Sequence, residues 1–304
     1  MTGAGAGAGT PGVAIVGVGN MGGAMASNLL ARGWAVRVHD VDRARPEALA
    51  ALGAVPCPDA AGASAGVPVT VVCVVDAAQC DEVLWGEGGV HARPGGLAGH
   101  TVMLCPTIAP DDVERIAARL AAAGASTIDA PMSGGPQRAA DGTMSLMVAC
   151  PAAAWAQHHA LIEALSNRVF RLGERPGDGA RMKLVNNLLA GINLVGAAEA
   201  IALASRLGLA PGTALDVIEQ SSGQSWIGSD RMRRAIAGDW APRAHMTLLR
   251  KDTGLAVLAG RAVGFEGPLG AAANEVFERA VAAGLAGLDD AAVLRLLEGL
   301  EPPA

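Results

Sequence analysis

The apolar positions of the chain follow two patterns. Up to about residue 172 they come in short runs, Val13–Val18, Ala35–His39, Val69–Val75, Thr101–Cys105, Ser126–Asp129, Met144–Ala149 and Arg168–Leu172. Each has the length and β-branched content of a buried strand. Longer stretches with helical spacing lie between them, at Ala24–Ala31, from Pro110 through Ala123 and at Ala152–Leu165. Strands alternating with helices predict an α/β fold with a parallel, doubly wound sheet. From Gly177 onward the pattern is helical throughout, in Gly177–Leu207, Pro211–Gln220, Arg231–Ala237, Met246–Arg261, Ala271–Ala283 and Asp290–Leu297. The change predicts a sheet domain over residues 12–174 and an all-helical domain over 175–304, after a disordered Gly/Ala tail at residues 1–11.

Gly177–Leu207 is the longest run that one helix could hold, with Asp178 as the expected N-cap and Gly208 and Pro211 as stop signals. At 1.5 Å per residue it would be roughly 40 Å long. Its sides are Leu, Ile, Val and Ala nearly all round, which predicts burial on several faces and, for a chain of this size, a homodimer or homotetramer. Lys183, Asn186, Asn187 and Asn193 interrupt that apolar surface, and Lys183 and Asn187 share one face, a turn apart. Taken alone, Lys183 has two readings: its amine snorkels from the first turns to water, or chemistry requires a lysine where burial is costly. These polar residues and Glu199, with no second apolar run of that length, argue against a membrane span.

The first strand runs into Gly17-Val18-Gly19-Asn20-Met21-Gly22, a G-x-G-x-x-G followed by a helix, a second strand and Asp40. In that order the residues have a mechanical logic. Gly17 permits the tight turn, Gly19 lets the backbone approach a pyrophosphate, and Gly22 lets the helix pack on the strand. The helix N-terminus faces the phosphate charge. Asp40, 18 residues beyond Gly22, stands where a carboxylate holds ribose hydroxyls. The sheet domain is therefore expected to be a Rossmann-type dinucleotide-binding domain. A carboxylate there repels a 2′-phosphate and favours NAD, while the nearby Arg43 and Arg45 leave NADP possible.

Composition narrows the field. Of the 304 residues 51% are apolar and 17% charged, and the net charge of −6 comes without any basic run. That excludes a nucleic-acid surface, which needs clustered Lys and Arg. The start of the chain has neither a basic segment nor an apolar core of the secretory kind. Five scattered cysteines read as reduced thiols, so a cytoplasmic protein is expected. The six histidines show no metal-ligand spacing, and no metal is expected.

In a doubly wound sheet ligands bind at the carboxyl ends of the strands. Val74, Val75 and Asp76, then Pro106 and Thr107, then Ser133, Gly134 and Gly135 all fall at such ends. The Ser-Gly-Gly segment can be an anion nest of hydroxyl and backbone N–H groups fit for a carboxylate. It can equally be a turn whose glycines supply positive φ.

Four motifs in order, Gly17–Gly22, Asp129–Gly135 (DAPMSGG, continuing to Ala139 and Gly142), Gly177–Asn187 (GDGARMKLVNN) and Lys251-Asp252, resemble the β-hydroxyacid dehydrogenase family, over about Val13 to Glu298. The resemblance implies an NAD(P)-dependent oxidoreductase that moves a hydride between a nicotinamide and a small 3-hydroxy acid, of the 3-hydroxyisobutyrate, glycerate/tartronate semialdehyde or threonate type. It implies Lys183 as the catalytic lysine with Asn187 as its helper, and Ser133, Gly134 and Gly135 as the carboxylate site. It implies cofactor contacts from Gly17, Gly19, Asn20, Met21, Gly22, Asp40, Val74, Val75, Thr107 and Lys251. A partly desolvated lysine suits proton transfer, because burial favours its neutral form. Cys105 and Pro106 depart from the small polar residues common there. Ser222–Trp226 (SGQSW) resembles the branch acting on four-carbon sugar acids such as L-threonate. Taken without the resemblance, Lys251-Asp252 reads as a solvated ion pair, and Trp226 as either core packing or a substrate contact. An imine reductase-like enzyme and a non-catalytic NAD(P)-binding module are the alternatives. The former usually lacks the lysine, and the latter has no use for the Lys183–Asn187 pair.

Overall fold

The computed structural model describes residues 11–300; the expected tail, apart from Pro11, lies outside them. The chain divides into two compact units, one ending at Lys183 and the other beginning at Leu184.

The first unit contains β1 (Gly12–Val16), α1 (Asn20–Ala31), β2 (Ala35–His39), α2 (Ala44–Ala50), β3 (Val55–Pro56), α3 (Ala60–Ala63), β4 (Val69–Val72), α4 (Ala77–Trp85) and β5 (Thr101–Leu104). It continues with α5 (Pro110–Ala122), β6 (Ser126–Asp129), β7 (Met132–Ser133), α6 (Gly135–Ala140), β8 (Ser145–Ala149), α7 (Ala152–Leu165) and β9 (Arg168–Gly173). The sheet order is β3-β2-β1-β4-β5-β6-β8-β7, with β9 on β8. The first six strands are parallel and reverse direction of succession between β1 and β4, which opens the ligand crevice of a doubly wound sheet. Two apolar cores, one around Ile15, Met25 and Leu146, the other around Leu84, Leu104 and Ile116, are built from buried residues of this unit.

The sheet departs from the expected all-parallel arrangement at its far end. β8 runs antiparallel to β6 and β7, and β9 runs parallel to β8. β6 and β7 run in the same direction, and the short segment after β7, which holds only the six-residue helix α6, turns the chain back beside them instead of crossing over the sheet, so β8 returns antiparallel. Strand ends also came out shorter than the apolar runs: Val74, Val75 and Cys105 lie beyond the last ladder pairs and belong to the exit loops.

α8 (Asp178–Arg206) begins in the first unit and continues into the second, which adds α9 (Pro211–Glu219), α10 (Trp226–Ile236), α11 (Met246–Ala262), α12 (Pro268–Ala280) and α13 (Val293–Glu298). Leu194, Ile201, Met232, Phe277 and Leu294 anchor its core. Asp289 is fully buried and accepts from Arg234 Nη2 at 2.7 Å, Arg243 N at 2.8 Å and Ala291 N at 3.1 Å, so it fixes the loop before α11 to the start of the last helical segment. Two expectations about helix starts are corrected. α1 begins at Asn20, directly after Gly19, and α10 begins at Trp226, where the Ser225 hydroxyl accepts from Gly228 N at 3.1 Å as an N-cap.

Candidate active site

Gly17 and Gly22 can be nothing but glycine. Gly17 has φ of 87°, and a Cβ on it would meet Cys73 O at 2.4 Å; one on Gly22 would meet Gly17 O at 1.9 Å. The second distance locks the first turn of α1 against the turn that leaves β1. Gly19 is the N-cap, in extended conformation, and as a glycine it offers no side-chain cap to the N–H groups of the first turn. A Cβ at Gly19 would lie 2.9 Å from an Arg45 guanidinium nitrogen, so that cation stands beside the glycine loop. A helix N-terminus capped by a glycine, with an adjacent guanidinium, fits a pyrophosphate.

Asp40 follows β2 and is nearly buried. One carboxylate oxygen accepts from Val18 N at 2.8 Å and the other from Asp42 N at 2.9 Å, which leaves each oxygen a further lone pair. Arg45 lies 3.8 Å from Asp40 and 3.1 Å from Asp42, so a positive group near the ribose position is already neutralised by two carboxylates. Val74 and Val75 follow β4, Val75 being exposed, and half-buried Thr107 follows β5. Cys105 points into the core, and burial raises its thiol well above the ordinary value. Burial likewise pushes the Cys73 thiol up to about 12. Neither is a nucleophile at neutral pH.

Ser133 ends β7, and Gly134 and Gly135 open α6 with φ of 131° and 75°. Both glycines are thus required by the turn itself, whether or not they also bind an anion. A Cβ at Gly135 would meet nothing within 4 Å, so this side of the turn is open.

The segment Gly177-Asp178-Gly179 explains how α8 is aimed. Asp178 is not the N-cap; it lies within the first turn and pairs with Arg181 at 2.9 Å. The cap is supplied from a distance by Asp129, at the end of β6, whose Oδ2 accepts from Gly177 N at 2.9 Å and Ala180 N at 3.2 Å. Gly177 has φ of 93°, and a Cβ on Gly179 would strike the Asp129 carboxylate at 2.8 Å. So the first turn of α8 sits directly on that carboxylate. Burial raises Asp129 to about 6 against the pull of these N–H groups. Asp129 was legible as the head of the DAPMSGG motif, but its partner forty-eight residues away was not.

Lys183 lies in the second turn of α8 and is 7% exposed, so its amine is not a snorkelling one. Asn187 is one turn further along the same face and equally buried. Its Oδ1 accepts from Asn186 Nδ2 at 2.9 Å, and its Nδ2 donates to Asp252 Oδ2 at 2.6 Å. Asp252 Oδ1 accepts from Lys251 Nζ at 2.7 Å. Lys251-Asp252 is therefore not a solvated pair: the carboxylate is buried and holds the Asn187 amide in one orientation. Asp252 is the site residue that sequence reasoning named without giving it a task. Trp226 is 54% exposed, which removes core packing as its role. Among the described residues no group of three or more His, Cys, Asp or Glu could hold a metal ion.

Two family models cover this chain: the NAD binding domain of 6-phosphogluconate dehydrogenase over residues 12–173, and the NAD-binding domain of NADP-dependent 3-hydroxyisobutyrate dehydrogenase over residues 177–297. L-threonate dehydrogenase of Cupriavidus necator is 38% identical over 96% of this chain and 97% of its own length. 3-Hydroxyisobutyrate dehydrogenase of Pseudomonas aeruginosa is 36% identical over 94% of this chain and 98% of its own length. A crystal structure described as 3-hydroxyisobutyrate dehydrogenase from Salmonella typhimurium superposes with a TM-score of 0.88 at 34% identity, covering 94% of this chain and 99% of that one. A nicotinamide cofactor and an oxidoreductase activity on hydroxy acids go with these matches and with the glycine loop described above, and the chain belongs to the β-hydroxyacid dehydrogenase family.

Proposed function

We propose that this member of the family oxidises a four-carbon sugar acid of the L-threonate type at its 3-hydroxyl, with NAD, in the cytoplasm. The observation that carries the reading is Lys183, a buried lysine one turn from Asn187 on α8, in a chain matched along 96% of its length by a dehydrogenase of L-threonate. The domains of the reading are residues 12–174 for the cofactor and 175–304 for the helical part.

In this proposal the carboxylate of the substrate rests on the Ser133 hydroxyl and the backbone N–H groups of Gly134 and Gly135. Lys183 accepts the proton of the reacting hydroxyl, and returns it in the reverse direction. Asn187 hydrogen-bonds the same oxygen, its amide held in register by Asp252 and Asn186. The glycine loop with Asn20 and Met21 holds the pyrophosphate, Asp40 the ribose hydroxyls, and Val74, Val75, Thr107 and Lys251 the rest of the dinucleotide. The bound nicotinamide supplies the hydride acceptor. Asp40 and Asp42 around Arg45 favour NAD over NADP, because a 2′-phosphate would meet two carboxylates.

NADH formation with L-threonate, 3-hydroxyisobutyrate, glycerate and tartrate, each with NAD and NADP, tests the reading. L-threonate with NAD should give the highest kcat/KM. Lys183→Ala should lower kcat by about 10²- to 10⁴-fold while NADH binding stays near normal. Near-normal turnover by that variant, or turnover of imines but of no hydroxy acid, would overturn it. The same reading includes a homo-oligomer, a dimer or tetramer, supported by the apolar surface of α8.

A further inference from the structure

The first turn of α8 is capped from outside the helix. Asp129, the last residue of β6, receives Gly177 N at 2.9 Å and Ala180 N at 3.2 Å on one carboxylate oxygen. A cap from the adjacent residue would satisfy such groups and leave the helix free to be placed anywhere. A cap from a strand fixes where the helix starts. The seat is close-fitting. A Cβ on Gly179 would lie 2.8 Å from the Asp129 carboxylate and 2.7 Å from Met147 O of β8, so only glycine lets the turn settle this far down. Arg181 and Glu114 of α5 hold the same turn at 2.6 Å, but both side chains are more than a third exposed, and such pairs contribute little. The Asp129 carboxylate, on a residue 1% exposed, is the firm contact.

The strand side of the seat is fixed by its neighbours. Asp129 is paired with Leu104 on one side and Ala149 on the other. Beyond it Met147 N donates to Pro131 O at 3.0 Å, and Met132 and Ser133 pair with Leu146 and Ser145. Asp129 and Ser133 are thus mounted on one strip of backbone held along β8. On the helix side, Lys183 stands one turn beyond Gly179 on the same face. Helical side chains lean back over the preceding turn, so the lysine stem leans toward the turn seated on Asp129. We propose that Asp129 is a positioning residue for Lys183: its carboxylate sets the height of the amine over the Ser133–Gly135 segment, and so the distance from that amine to the hydroxyl of a bound acid.

That distance matters because the substrate is short. A proton is transferred across a hydrogen bond, which spans about 2.6–3.2 Å between heavy atoms. In a 3-hydroxy acid the carboxylate lies close to the reacting hydroxyl, so anchoring one fixes the other, and the amine must meet it there. A displacement of about 1 Å imposed from outside the site can lower the rate about 10²-fold. Asp129 bears on both ends of that span. Its backbone begins the strip that leads to Ser133, and its side chain carries the start of α8.

The inference rests on the function reading, which takes Lys183 as the proton acceptor and Ser133–Gly135 as the carboxylate site. A double-mutant cycle on the full chain tests it, with kcat and KM for L-threonate, NADH titration and circular dichroism of each variant. Asp129→Glu adds a methylene to a seat with no room for one and lifts the turn. Its kcat should fall about 10²-fold, while KM and NADH affinity stay within about threefold. Gly179→Ala opens the same gap from the helix side and should match it. Asp129→Asn keeps the shape and an acceptor oxygen, so its kcat should fall by no more than about fivefold. In the Lys183→Ala background no amine remains to be misplaced, and D129E should change the residual rate by less than about threefold. A folded D129E with wild-type kcat overturns the inference, and an inactive Lys183→Ala then leaves the function reading standing. A D129E loss of equal size in both backgrounds overturns it as well, since Asp129 would then act on the site by another route than Lys183. Should D129E or G179A lose its fold, the other carries the cycle by the same criteria. Near-normal turnover by Lys183→Ala overturns both readings.

Discussion

The two units treat their surfaces differently. The one ending at Lys183 fits most of its large apolar residues into two cores on a sheet, leaving Val41, Leu52 and Phe170 more than half exposed, and its buried carboxylates are held by backbone N–H groups: Asp40 by Val18 and Asp42, Asp129 by the first turn of α8. The one beginning at Leu184 leaves Val185, Leu189, Leu203, Leu207, Leu258, Val263, Phe265 and Leu269 more than half exposed. The second keeps a larger exposed apolar surface. The difference teaches that constraint in the first unit is internal, written in glycines and buried carboxylates, whereas the second leaves more of its apolar side chains outside any core.

If constraint in the first unit is internal, the largest effect of a single methyl group should be found there. Gly22→Ala places a Cβ 1.9 Å from Gly17 O, a backbone atom that cannot swing aside. α1 must move off β1, at a cost of about 3 kcal/mol or more. The N–H groups at the start of α1 then lose their aim. Thermal unfolding should show the loss, and NADH titration by fluorescence should show binding weakened by at least about tenfold, the equivalent of 1.4 kcal/mol. An alanine variant with wild-type Tm and NADH affinity would break the comparison at its strongest point.

The next prediction uses two buried groups of the same unit. His100 is 2% exposed, and burial, with Arg93 near, pulls its pKa down to about 4 from 6.5. Its Nε2 lies 2.9 Å from Thr70 Oγ1, which donates to Ser64 Oγ, which in turn donates to Ala60 O. Thr70 therefore accepts from the ring, so the neutral tautomer carries its proton on Nε2. A depressed histidine contributes stability that is present above pH 6.5 and lost as pH falls through about 4. Asp129, raised to about 6 from 3.8, contributes stability that is present below pH 3.8 and lost as pH rises through about 6. Each is worth about 3 kcal/mol at most, and across pH 4 to 6 they oppose one another. Relative to wild type, His100→Asn should therefore lose stability as pH rises over that range, and Asp129→Asn should gain it. Denaturant midpoints at several pH values measure both slopes, and parallel pH profiles for the three proteins would refute the pair.

How much of this was legible follows the same division. The glycine loop and the Ser-Gly-Gly turn could be read directly, because local backbone geometry demands glycine at those offsets; Asp40 was legible from its place after the second strand, and the Lys183–Asn187 pair gained a role only through the family resemblance. Seven strands of the first unit were legible from their apolar runs, as were α1, α5 and α7, whereas the short elements α2, β3, α3, α4, β7 and α6 were not. The antiparallel return of β8 was not, since a two-residue strand such as Met132-Ser133 carries no periodicity. The capping of α8 by Asp129 and the holding of Asn187 by Asp252 were not legible either. Both depend on pairs distant in sequence, and a carboxylate in a motif does not announce what it will touch. The apolar circumference of Gly177–Leu207 did point to burial on several sides, but which side is left exposed emerges only when the remaining helices have taken theirs.

The smallest effects give the finest test, because α8 contains two interior glycines in opposite situations. A Cβ at Gly191 would lie 2.4 Å from Thr253 Cγ2 and 3.3 Å from Phe277, whereas one at Gly196 meets nothing within 4 Å. Helix propensity favours alanine over glycine by about 1 kcal/mol at either position. At Gly191 the clash with α11 outweighs that gain, and Gly191→Ala should destabilise by about 1–2 kcal/mol. At Gly196 the chain offers no resistance, so Gly196→Ala should stabilise by about 0.5–1 kcal/mol. Denaturant unfolding of the two variants measures both signs on one helix. A Gly191→Ala variant as stable as Gly196→Ala would mean that packing against α11 constrains the helix no more than open solvent does.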